Sequence, residues 1–121
     1  MFRLAEQYLI RAEARLKKST PDIAGAVSDI NIIKARAGVP TIATPITLTA
    51  ADLILAVEDE NRYEFAFEGH RYGDIIRTKR AGVVFAAYEP KYVDPRYWVV
   101  PIPTSELKND PDLEQNGDGV Y

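Results

Sequence analysis

Residues 3 to 40 read RLAEQYLIRAEARLKKSTPDIAGAVSDINIIKARAGVP, and the spacing of apolar residues in this stretch decides the fold class. Between Phe2 and Lys18 they recur at Leu4, Ala5, Tyr8, Leu9, Ala12 and Leu16, the three-and-four interval that lines up side chains on one helical face. Charges take the other side. Thr20-Pro21-Asp22 then supplies an N-cap hydroxyl, a proline in a first turn where its missing N–H costs nothing, and an acid near the positive helix end. Ile23, Ala26, Val27, Ile30, Ile33 and Ala37 make a second apolar stripe, ended by Gly38 with Pro40 beyond. Helices joined by so short a turn lie antiparallel, so residues 2–37 are expected to form a helical hairpin.

The hairpin is close in length to one tetratricopeptide unit, but the full signature of that repeat is missing and no second copy follows. The likeness is one of shape. Outward from it, Thr41 to Thr49 reads as a loop, and Thr49 with Asp52 resembles a capping box. Residues 50–81 are expected to hold a long helix carrying Leu53, Leu55, Ala56, Tyr63, Phe65, Ala66 and Phe67, an interruption at Gly69, and a shorter helix from His70 to about Arg80, closed by Ala81-Gly82. Prolines at 90, 95, 101, 103 and 111 make residues 82–121 an irregular tail with short extended pieces such as Tyr97 to Val100, and Thr104 begins a single helical turn. Tyr88, Tyr92, Tyr97 and Trp98 would be costly to leave in water, so the tail is expected to pack on the helices. The fold class is all-α, with tetratricopeptide-like hairpins, in one domain over residues 1–121.

Composition narrows the function. A chain of 121 residues, 46% apolar and 27% charged, is globular and long enough to bury a core. Its 15 basic and 18 acidic residues are interspersed and sum to −3, so no broad positive field exists and nucleic acid is not an expected partner. Without cysteine there is no disulfide or thiol chemistry, and a single histidine rules out metal sites built on several imidazoles. Asp110, Asp112, Glu114 and Asp118 lack the glycine and spacing of an EF-hand loop and read as a solvated acidic surface. No cofactor is expected, and the chain carries no targeting signal.

The densest chemistry lies at residues 64–77, EFAFEGHRYGDIIR. A catalytic reading would make His70 and Asp74 base and orienter, with Glu68 as a second carboxylate, but this stretch contains no serine, threonine or cysteine nucleophile. A bracing reading uses the same residues as ion pairs. Glu58 with Arg62, Arg71 with Asp74 and Asp74 with Arg77 are three or four apart, and Glu64, Glu68 and His70 complete the cluster while Phe65, Phe67, Ile75 and Ile76 fill the core around it. The brace is the expected role and no catalytic residue is assigned. For ligand contact the better candidates are Trp98, Tyr97 and Tyr92, because pyranose rings dock flat on aromatic faces.

Five ordered stretches, RLAEQYLIRAEARLKK, GAVSDINIIKARAGVP, ENRYEFAFEGHRYGDIIRTKR, VVPIPTSEL and DPDLEQNGDGVY, together resemble the C-terminal part of SusD/RagB-like proteins of Bacteroidetes. The resemblance runs from Arg3 to Tyr121. It implies a non-catalytic surface lipoprotein of the outer membrane that binds an oligosaccharide or polysaccharide and docks on a SusC-like TonB-dependent transporter. It also implies that this chain is a C-terminal fragment holding mainly scaffold, since most sugar contacts in the family come from upstream segments. A free-standing tetratricopeptide-like module binding another protein is the rival reading.

Overall fold

In the computed structural model the described residues are 3–43 and 47–116; Phe2 and Asp118, invoked above, lie outside them. All regular structure among them is helical: α1 (Leu4–Leu16), α2 (Ile23–Arg36), α3 (Ala50–Glu64), α4 (His70–Arg77), α5 (Ala81–Ala86) and α6 (Thr104–Asn109), with single 3-10 turns at Pro90–Val93 and Pro95–Trp98. The chain divides into two compact units, with the boundary between Arg71 and Tyr72.

In the first unit, α1 packs on α2 and α3. Leu9, Ala12, Ala26, Ile30 and Leu53 are fully buried, joined by Leu16, Ile33, Val57 and Phe65. These are the apolar stripes of the three helices, and their removal from water is the main force holding them together. Arg15 reaches Asp22, Gly25 and Asp29 while Arg11 reaches Asp29, the order of contacts of an antiparallel hairpin. Arg3 meets Glu64 at the end of α3, whereas Lys34 and Arg36 at the end of α2 meet Glu60 and Glu64. Hence α3 runs antiparallel to α1 and in the same direction as α2. The connection has room to do this, because residues 38–49 could extend to about 40 Å and α2 is only about 21 Å long. Asn31 guides the return: its amide donates to the Ile42 carbonyl at 3.0 Å and accepts from the Ile42 N–H at 2.8 Å.

Local signals set the helix ends. Gly38 adopts φ +70, and the pair Val39 N–H to Lys34 O and Gly38 N–H to Ala35 O closes α2. Thr49 and Asp52 form the reciprocal capping box of α3. The cap of α2 is Asp22, not the expected Thr20: the helix begins two residues later, and the Asp22 carboxylate accepts from the Gly25 N–H at 2.9 Å. Phe67 also departs from expectation. Helix α3 ends at Glu64, Phe67 takes φ +65 with its ring fully in solvent, and only Phe65 enters the core.

In the second unit, α5 replaces the expected helix stop at Ala81-Gly82. Lys79, at φ +59, ends the preceding helix, and a new one starts when the Val84 N–H bonds to the Arg80 carbonyl. Gly82 is there for space, since a Cβ on it would sit 3.2 Å from Cζ2 of Trp98. Pro90 and Pro95 each open a 3-10 turn, where a fixed φ favours the turn and no N–H is needed, so Tyr97 and Trp98 are helical, not extended. Farther along, the Gln115 side chain both donates to and accepts from the backbone of Ile102, at 3.0 and 2.8 Å, fastening the segment after α6.

Candidate functional site

The charged cluster is built at the end of α3. The Glu64 side chain, 8% exposed, accepts from Arg3 at 2.6 Å through one oxygen and from Arg36 through the other. Arg3 also pairs with Glu68 and lies 5.2 Å from the centre of the Phe65 ring, and that ring stacks on the His70 imidazole at 4.9 Å. Two carboxylates four residues apart would repel if alone; a guanidinium shared between them removes the penalty. His70 has Nδ1 4.0 Å from Glu6 and no hydroxyl partner among the described residues.

Two of the expected pairs take different partners. Glu58 is met by Arg71 at 3.0 Å and not by Arg62, whose guanidinium lies 5.7 Å from the Tyr63 ring. The left-handed residues Phe67 and Gly69 turn the chain back between α3 and α4, which brings Arg71 across to Glu58. Asp74 accepts from Arg77 at 2.8 Å and leaves Arg71 to Glu58. Arg71 Nη1 is buried without a hydrogen-bond partner. Asp74 therefore does not orient His70, and nothing in the cluster has the layout of a nucleophile with its base.

A further brace, centred on Asp29, lies outside the sequence candidates. Asp29, 1% exposed, accepts from Arg11 at 2.6 and 3.0 Å and from Arg15 at 2.6 Å. The hydrogen bond to Asp29 raises the Arg11 pKa above its ordinary value, even though Arg11 itself faces solvent. A signal for it exists: Asp29 sits among Ala26, Val27, Ile30 and Ile33, and two arginines four apart stand on the neighbouring helix. Glu60 and Glu13, also buried, pair with Lys34 and Lys17, each at 2.5 Å.

The aromatic candidates lie in the second unit around a cleft of about 580 Å³, within the size range of small-ligand sites. Tyr92 and Tyr97 line it, ring centres 5.5 Å apart and edge to face, and Tyr72, Phe85 and Tyr88 continue the wall. Trp98 is not on the lining. Its indole N–H donates to the Tyr92 carbonyl at 2.8 Å, its carbonyl accepts from the Tyr72 hydroxyl, and its ring packs at Gly82. The Lys91 Nζ sits 5.1 Å from the Tyr92 ring centre and 5.9 Å from that of Tyr97, and it pairs with Glu89 at 3.0 Å, which raises its pKa. Among the described residues no group of three or more His, Asp or Glu side chains is placed to hold a metal, and no helix is long and apolar enough to cross a membrane.

A family model described as the SusD family matches residues 1–119. The chain is 33% identical over 131 aligned positions to the "Starch-binding protein SusD" of Bacteroides thetaiotaomicron, an alignment that takes in 96% of this chain and 20% of that protein. It thus spans a fifth of the length of this curated relative. No solved structure gives a significant match.

Proposed function

The chain belongs to the SusD family, and from that premise we propose that it is the C-terminal part of a longer glycan-binding protein that captures oligosaccharides or polysaccharides without cleaving them. The protein would sit on the outer membrane at the cell surface and pass its ligand to a SusC-like TonB-dependent transporter. This portion serves chiefly as scaffold. Glu64, Glu68, His70, Arg71, Asp74 and Arg77 would brace helices, with Arg62 at their margin, and Tyr92 and Tyr97, supported by Trp98, would face ligand.

The observation that supports the reading best, beside family membership, is the state of the buried acids. Glu13, Asp29 and Glu60 each have a lysine or arginine partner, as does the nearly buried side chain of Glu64. Carboxylates committed in this way hold elements in register, and removing their partners would leave buried charge. Binding is then left to ring faces and hydroxyls, which suits a neutral, polyhydroxylated ligand.

Affinity electrophoresis tests the proposal. Full-length protein run in native gels cast with starch, β-glucan, xylan or mannan should be retarded by at least one of them. Unchanged migration in every gel would contradict a glycan-binding role.

A further inference from the structure

The second-unit cleft combines exposed rings, free hydroxyls and a neutralised cation. Tyr88 is 83% exposed, and neither its hydroxyl nor that of Tyr92 has a protein partner among the described residues. Tyr72 is fixed by its bond to the Trp98 carbonyl and stacks on Phe85 with ring centres 6.1 Å apart, giving one rigid wall. Exposed ring faces and unengaged hydroxyls are what a pyranose needs: C–H groups on rings, O–H groups on polar tips.

Charge decides between kinds of sugar. Lys91 is the one charged side chain on the lining, and Glu89 already pairs with it at 3.0 Å. Arg96, nearby in sequence, is likewise paired, with Asp94 at 2.6 Å. Glu89 offsets the charge of Lys91, so the described lining of the cleft offers no net positive charge to a carboxylated or sulfated sugar, and a uronate here would lie beside Glu89. A proline-rich peptide, the other common guest of tyrosine-lined grooves, would find the Trp98 indole N–H already given to the Tyr92 carbonyl.

We propose that the cleft walled by Tyr72, Phe85, Tyr88, Tyr92 and Tyr97 is a docking site for an uncharged pyranose, stacked on Tyr88 and hydrogen-bonded by the Tyr88 and Tyr92 hydroxyls and by Lys91. Trp98 is a positioning residue that holds Tyr92 and Tyr72 in place. The inference rests on the glycan-binding reading above and adds to it a location and a preference for neutral sugars.

Calorimetric titration of the full chain, with hexasaccharides of α-glucan, β-glucan, xylan and mannan as neutral probes and a galacturonan hexamer as the acidic one, tests it. At least one neutral probe should bind and the acidic one should not. Tyr88→Ala should weaken binding about tenfold and Tyr88→Phe about threefold. Since Tyr88 lies mostly in solvent, circular dichroism of both variants should match wild type. Neutral binding that Tyr88→Ala leaves unchanged, or binding of the acidic probe alone, would overturn the site while sparing the glycan-binding role. Failure of every sugar to bind would overturn the site, and if the full-length protein also ignored the polysaccharide gels, the broader reading would fall with it. Binding of a proline-rich peptide at Tyr88 instead of any sugar would replace this site by a protein-binding groove.

Discussion

The carboxylate of Asp29, buried in α2, accepts both ends of the Arg11 guanidinium fork, at 2.6 and 3.0 Å. With Arg15 on its second oxygen, it ties the two helices of the hairpin at mid-length. Asp29→Ala removes three charge-assisted bonds but leaves arginines that can turn to water, so stability should fall by about 2 to 3 kcal/mol. The double variant Arg11→Ala, Arg15→Ala strands the buried carboxylate and is expected to cost more than loss of the acid. Urea unfolding followed by circular dichroism checks both, and equal or reversed losses would show that Asp29 is not held as described.

Phe65 and Phe67, two residues apart, should respond in opposite ways. Phe65 is 3% exposed and stacks on His70, so Phe65→Ala should cost about 3 to 5 kcal/mol. Phe67 is fully exposed at φ +65, a backbone region that glycine occupies without strain. Phe67→Gly is expected to raise stability by about 1 kcal/mol, read as a higher urea midpoint.

Acid should weaken α3 at its start. The Asp52 pKa is lowered from 3.8, first by the Thr49 hydroxyl and then by the Thr49 N–H. A carboxyl depressed in the folded state stabilises fully above its unfolded value, and the contribution disappears as pH falls through the folded one. Stability should therefore be level from neutral pH down to about 4 as far as this group is concerned, then drop. Asp94, depressed by Arg96, acts in the same direction. In Asp52→Asn the slope of unfolding midpoint against pH below 4 should be shallower; an unaltered slope would remove Asp52 from the acid response.

Much of the first unit could be read from local rules. The stripes on α1 and α2, Gly38 as the terminator and the Thr49–Asp52 box depend on residues within a few positions of one another, where spacing alone fixes the geometry. Contacts across the fold were not legible in the same way. Arg71 and Arg62 are both plausible partners for Glu58, and only the left-handed turn at Phe67 and Gly69 selects Arg71. Gly82 reads as a helix breaker from its neighbours, yet it lies within α5, where the Trp98 ring needs the room. Trp98 is of a type that suits contact with sugars, and sequence alone does not reveal that its N–H is donated to the Tyr92 carbonyl.

The proposed function has the acids around His70 bracing a protein that binds glycan without cutting it. The most direct measurement is the release of reducing ends from whichever polysaccharide retards the full-length protein, over a day at pH 5 to 8, beside a His70→Ala variant. No release above the blank is expected from either protein. Reducing ends that accumulate with the wild type and vanish in His70→Ala would contradict it.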